Sequence, residues 1–353
     1  MSSTVLRSAQ PVRLLSLAAV AALSLTACGT TDVGGSEEES SGDAGPITVT
    51  DHSGEEVTLE EPADRVVTLE WAQTEDVATL GGEQVGIADA ETFAQWNSAV
   101  ELPEDAVDVG QRQEPSLEAI GQANPDLILG SANSVPQDQI EDLEEIAPVV
   151  LLTSADTQDP LGTMEENFRT TAELLGAEEK ADEVWSEYEQ TLDDARSTLS
   201  EAGAEGTPFT VSYASVEGNT ATFRMHGSGA QVQALGEEIG LTTAWEKSGD
   251  EIWGISESDV EGLSALPEDT LFYRWLGTEE SDDALESLEN NSAWTSLGFV
   301  EHDAVEQLRG QWIYGGPASS QQVVEHLAET AAEHAEENTE ENTGEDAGEN
   351  AGA

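Results

Sequence analysis

The chain has 353 residues, with 11 Lys and Arg against 74 Asp and Glu, a formal net charge of −63, and one cysteine. That length leaves room for about two domains once polar ends are set aside. Such an acidic surface repels nucleic acid and anionic lipid, so no nucleic-acid partner and no protein-surface route to a membrane are expected. Carboxylate pairs occur throughout by chance, so none marks acid–base catalysis, and a single cysteine rules out an internal disulfide.

The N-terminus has the parts of an export signal. Arg7 and Arg13 precede an apolar stretch from Leu14 to Leu23, followed by Leu25-Thr26-Ala27-Cys28. The stretch is too short to span a bilayer as a stable helix. Leu-Thr-Ala-Cys resembles the lipobox of bacterial lipoproteins. That resemblance implies a signal peptide over 1–27 and lipidation of Cys28, which becomes the first mature residue. The segment 28–46, rich in Gly, Ser and acid, reads as a flexible tether.

An alternating pattern follows. Arg65–Leu69 is strand-like, Thr74–Leu80 helical, and Val85–Ala88 strand-like again. Ser116, after Pro115, is placed to cap a helix through Ile120 that Asn124-Pro125 ends. Asp126–Gly130 reads as a buried strand, Ile140–Ile146 as a helix and Val149–Leu152 as the next strand. The order argues for a mostly parallel sheet in an α/β lobe over 47–160.

Helical patterning then dominates 161–205. Met164, Phe168 and Leu175 share one face. Val184, Trp185, Tyr188, Leu192, Ala195 and Leu199 fit one face of a helix over about 178–202, roughly 35–40 Å long. That is enough to bridge two lobes, although a helix packed inside one lobe has the same pattern. A second α/β lobe is read over 206–330. It has strands at Phe209–Tyr213, Thr220–Met225 and Thr270–Tyr273, and helices at Ala230–Ile239, Ser292–Leu297 and Ala318–Ala332. Residues 331–353, mostly Glu, Asn, Gly and Ala, read as a disordered acidic tail.

Several segments together carry a family resemblance. Arg65-Val66-Val67-Thr68-Leu69-Glu70-Trp71 with Glu75-Asp76 and Leu80-Gly81 is one. Val107-Asp108-Val109-Gly110-Gln111-Arg112 through Ser116-Leu117-Glu118-Ala119-Ile120, then Asn124–Leu129, is the strongest. Trp253-Gly254-Ile255-Ser256 and Gln311-Trp312-Ile313-Tyr314-Gly315-Gly316-Pro317 complete the set. Over about 47–330 the chain resembles iron-siderophore binding lipoproteins, most of all those for ferric hydroxamates. The resemblance implies two α/β lobes with a shallow cleft between them, joined by one long rigid helix. It implies a lipid-anchored monomer on the outer face of the bacterial cell membrane. There it captures a ferric siderophore and hands it to an ABC importer permease, with no catalysis and no cofactor of its own. Another metal chelate (cobalamin, haem or ferric citrate) remains open, as does an extracellular enzyme on the same fold. The scarcity of basic residues argues against a highly anionic chelate unless Arg112 and Arg224 concentrate charge locally.

A ferric hydroxamate offers oxygens around iron inside a largely apolar shell, so its cleft needs a few forked donors and flat walls. In the family, the position of Arg112 faces the cleft. Arg224 ends a strand and is a second candidate, and Arg274, at the end of the Thr270–Tyr273 strand, a third. Arg65 reads as structural, and Arg169 and Arg196 as solvated helix faces. Trp71, Trp96, Trp253, Trp312 and Tyr314 are expected as exposed aromatic contacts in or beside loops, and Trp185 as core; Trp245 and Trp294 are left unassigned. Some hydroxamate binders carry a Tyr after the Leu127–Gly130 strand. Here Ser131-Ala132-Asn133-Ser134 stands there, and Asn133 is the available donor. His52, His226, His302, His326 and His334 are scattered, so iron is expected only inside its chelator. Glu118, by family position, and Glu261 are candidates for permease docking, with simple solvating charge as the alternative.

Overall fold

A computed structural model describes residues 45–349 apart from 218, 219 and 248. The signal peptide, Cys28 and all of the tether but its last two residues lie outside the described residues.

A hairpin of β1 (Ile47–Thr50) and β2 (Glu56–Leu59) comes first. The first lobe then alternates strands and helices: β3 (Val66–Thr68), α1 (Trp71–Leu80), β4 (Gln84–Ile87), α2 (Ala90–Trp96) and β5 (Val107–Asp108). A small hairpin of β6 (Gly110–Gln111) and β7 (Glu114–Pro115) leads to α3 (Leu117–Ala123), β8 (Leu127–Ser131), α4 (Ile140–Glu144) and β9 (Val149–Leu152). The sheet is parallel in the order β5-β4-β3-β8-β9. Its central strands are covered on both faces, which is why they read as unbroken apolar runs. The chain leaves β3 toward one edge and returns at β8 toward the other. A crevice therefore opens beyond the carboxyl ends of β3 and β8, where the strand order switches.

Two helices carry the chain onward. In α5 (Pro160–Leu175), Asp159 accepts from the Gly162 amide and Pro160 occupies the first turn, where its missing N–H costs nothing. Its Leu174 packs with Val66 and Val150, so α5 covers the first lobe. α6 (Glu178–Ala202) has the bounds that its apolar period predicts, and Gly203 in the left-handed region ends it. Its Ala181 and Val184 join Leu80 and Phe168, whereas Leu192, Ala195 and Leu199 join the core around Phe209. One helix thus contributes to the packing of both lobes.

The second lobe comprises β10 (Pro208–Glu217), β11 (Thr220–His226), α7 (Gln231–Ile239), β12 (Thr242–Thr243), β13 (Ile255–Ser258), α8 (Val260–Leu263), β14 (Leu271–Leu276), α9 (Glu279–Glu289), α10 (Gly298–Glu301), β15 (Val305–Arg309) and α11 (Pro317–Glu349). Its sheet runs β13-β11-β10-β14-β15, with β12 on β10. β11 is antiparallel to both neighbours while β14 and β15 run parallel to β10, so this lobe does not simply repeat the first.

Two expectations fail. Residues 292–297 form turns, not a helix, because the Asn291 side chain takes the Ala293 and Trp294 amides; the helix α10 starts at Gly298. The expected disordered tail from 331 is instead the continuation of α11 to Glu349. Val323, Val324, Leu327, Ala328 and Ala331 are buried and Ala335 packs against them, so the apolar stripe crosses the proposed boundary. Ala332, Glu333, Ala335, Glu336 and Glu337, all good helix formers, carry the helix past that boundary.

Candidate functional site

A cleft of about 500 Å³ lies between the lobes, and all seven residues proposed from sequence to bind ligand line it.

From the first lobe, Arg112 stands with Gln113 at the tip of the β6–β7 hairpin. Three neighbours hold it. Its Nη1 donates to Glu70 at 2.8 Å, its Nε lies 3.7 Å from Asp89, and its guanidinium carbon sits 3.8 Å from the centre of the Trp71 ring. Asp89, in the left-handed backbone region at φ 54°, also accepts the Arg112 amide at 3.2 Å. Glu70 caps α1 by accepting the Trp71 amide. Stacking on an indole and pairing with a carboxylate fix the plane of the guanidinium. Nη2 has no hydrogen-bond partner among the described residues and stays available as a donor. Ser131, which ends β8, and Asn133 and Ser134 just past it line the same wall.

The other walls are aromatic. Trp71 meets Trp312 at 4.8 Å between ring centres, Trp312 meets Trp275 at 5.3 Å, and Trp275 meets Trp96 at 4.4 Å. This chain of rings crosses from one lobe to the other. Trp71, Trp96 and Trp312 were expected as exposed loop contacts. Trp71 instead begins α1 and Trp96 ends α2, and all three are mostly buried, Trp71 and Trp312 against each other and Trp96 against Tyr213 and Trp275. Gly277 follows β14 because a Cβ there would lie 2.2 Å from the Trp96 ring. Trp253 and Tyr314 are half-buried and meet edge to face at 5.3 Å. The Asp250 carboxylate collects the amides of Ile252, Trp253 and Ile255 and so sets the loop carrying Trp253.

Sheet register decides which residues of the second lobe face the cleft. Tyr213 pairs with Arg224, and Arg224 with Glu257, across adjacent strands. Trp275 of β14 shares that face, whereas Ser212, Met225, Ser256 and Arg274 fall on the other. Arg224 therefore lines the cleft and Arg274 does not. Arg274 is 1% exposed, with its guanidinium carbon 5.9 Å from the Trp294 ring, and it is removed from the candidates. Tyr213 and Trp275 are cleft residues that sequence reading missed; only register identifies them.

Below the cleft, the lobes meet through two acids of α1. Glu75, fully buried, accepts the Ser319 amide at 2.9 Å and the Asn97 side-chain amide at 2.6 Å, and so caps the start of α11 from the opposite lobe. Asp76, 2% exposed, has no partner for its Oδ1 among the described residues. Burial, then the neighbouring Glu75 charge, pushes its carboxyl well above the usual range.

Other residues serve structure as expected. Arg65 donates to the Ala123 and Asn124 carbonyls, and Arg169 and Arg196 make exposed ion pairs. Trp185 is only half-buried, whereas Trp245 and Trp294 are core. Glu118 and Glu261 are exposed in the first turns of α3 and α8, one on each lobe. Among the described residues no group of three or more His, Cys, Asp or Glu is placed to hold a metal ion.

A sequence model of the periplasmic binding protein family matches residues 66–311. The iron(3+)-hydroxamate-binding protein FhuD of Escherichia coli is 25% identical over 264 residues, covering 74% of this chain and 85% of its own length. The Fe(3+)-citrate-binding protein YfmC of Bacillus subtilis is 27% identical over 244 residues, covering 68% and 71%. Among solved structures, the Fe3+-Desferal-bound siderophore binding protein FhuD from Vibrio cholerae superposes with a TM-score of 0.67 at 27% identity, covering 76% of this chain and 98% of that one.

Proposed function

The chain belongs to the periplasmic binding protein family, and on that premise we propose that it captures a ferric siderophore of the hydroxamate type in the interlobe cleft and delivers it to an ABC importer. The observation that carries this reading is Arg112, stacked on Trp71 and oriented by Glu70 at the mouth of an aromatic cleft. Its free donor meets the iron-bound oxygens, and the Trp and Tyr walls take the organic shell. No step of the reading needs a nucleophile or a resident metal; iron enters and leaves inside its chelator. The protein acts as a monomer on the outer face of the membrane, held by lipid on Cys28, with Glu118 and Glu261 meeting the permease.

Radioiron uptake in cells lacking the chromosomal copy tests the proposal. Wild-type protein is expected to restore uptake of iron presented as a ferric trihydroxamate; uptake unchanged by its presence overturns it. A second reading, a ferric hydroxycarboxylate such as citrate, is favoured by one observation, the second cleft arginine at 224. The same assay with ferric citrate separates the two.

A further inference from the structure

Among the described residues most cations are already paired. Arg65, Arg112, Arg169, Arg196 and Arg309 each contact a carboxylate, and Arg274 is buried on the far face of its sheet. Arg224 differs from all of these. It is exposed on the cleft wall and makes no hydrogen bond or ion pair among the described residues. The nearest acid by register is Glu257 on β13, whose carboxylate does not come within ion-pair distance. Arg112 also lines the cleft, but it is shared between Glu70 at 2.8 Å and Asp89 at 3.7 Å and offers no surplus positive charge. Among the described residues, Arg224 is therefore the cleft-lining cation without an ion-pair partner.

A chain with a net charge of −63 would be expected to reject anions. At physiological ionic strength, however, exposed charges more than about 8 Å away are largely screened. A ligand in the cleft responds to the groups it touches. Arg224, exposed and flanked in register by Tyr213, lines the cleft with Trp253 and is reachable from it.

We infer that Arg224 is a specificity-determining residue that selects ferric siderophores carrying a carboxylate on the part of their shell facing the second lobe. This inference rests on the hydroxamate reading above and adds to it: Arg112 serves the iron-bound oxygens common to all such ligands, and Arg224 reads the peripheral charge that distinguishes them.

The test uses one trihydroxamate core with three chain ends: ferrioxamine B, which ends in an ammonium, its N-acetyl derivative, which is neutral, and its N-succinyl derivative, which ends in a carboxylate. Wild-type protein is expected to bind the succinyl form most tightly and the ammonium form least, with about tenfold between succinyl and acetyl, the size of one charge-assisted hydrogen bond. Arg224→Gln, with folding checked by circular dichroism, is expected to bring the three within about threefold, and Arg224→Lys to keep the order. Equal affinities in wild type, or an order that survives Arg224→Gln, overturns the inference while leaving the hydroxamate reading intact. Binding of none of the three overturns that reading, and this inference with it.

Discussion

The Tyr314 hydroxyl lies 2.6 Å from His226 Nε2, while the other ring nitrogen, Nδ1, lies 3.0 Å from the Val211 carbonyl. A carbonyl can only accept, so Nδ1 carries the proton and Nε2 accepts from Tyr314. The tyrosine hydroxyl is thus engaged inside the second lobe, and the ring is what Tyr314 offers the cleft. Burial pulls His226 down to about 4, so it is neutral throughout the physiological range.

This has a signed consequence for stability. The folded pKa lies below the unfolded value near 6.5. The contribution is therefore complete above pH 6.5 and is withdrawn as pH falls toward 4, a loss on the order of 3 kcal/mol. Urea unfolding across that window is expected to show stability falling with acidification in wild type and a flatter profile in His226→Gln. Tyr314→Phe keeps the ring but leaves Nε2 unpaired. It is expected to cost about 1–3 kcal/mol of stability and to change siderophore affinity by no more than about threefold.

Asp76 has the opposite sign. Burial and the Glu75 charge raise its carboxyl, so the fold keeps it neutral at pH values where the unfolded chain has ionised it. Its contribution is complete below the unfolded value and is lost as pH rises through the raised folded value. Asp76→Asn is therefore expected to raise the melting temperature at pH 7 and to flatten the decline above pH 4. A variant less stable than wild type at pH 7 would contradict the assignment of a buried neutral acid beneath the cleft.

Cys28→Ala is expected to release the protein into the medium, because the lipid is the proposed anchor and among the described residues no helix is long and apolar enough to cross a membrane. Fractionation of cells expressing the variant checks this; retention in the membrane would refute lipidation as the anchor.

Glu118→Ala with Glu261→Ala is expected to leave siderophore affinity near normal and to reduce uptake, since the two exposed acids sit outside the cleft lining. Parallel binding and uptake assays decide. Normal uptake would show that other carboxylates meet the permease, and lost affinity would place these two in ligand capture.

The legible parts of the chain were those whose signals are local. β9 and α6 could be bounded from apolar runs and period, and Ser116 was identifiable as the cap of α3 from residue type and position. α2 was hidden because it is short and starts from an aspartate in the left-handed region. α9 was hidden because its sequence is largely acidic and its capping box is Thr278 with Ser281, not the usual Glu. In the cleft, Arg112 and Trp71 are adjacent only after β3, β6 and β7 are assembled, yet each lies in a motif that marks it. Tyr213 and Trp275 lie in no such motif. Whether Arg274 or Trp275 faces the ligand is a matter of one residue in strand register, which only pairing with β10 settles.

The central claim is that Arg112 and the aromatic walls form a ferric hydroxamate site, and equilibrium titration of tryptophan fluorescence with a ferric trihydroxamate tests it most directly. Trp71, Trp96, Trp275 and Trp312 lie close enough that one bound complex should quench them together. The account predicts saturable quenching at one ligand per protein, and binding about ten- to a hundredfold weaker in a folded Arg112→Ala variant. Quenching that never saturates, or an Arg112→Ala protein that binds as tightly as wild type, would contradict it.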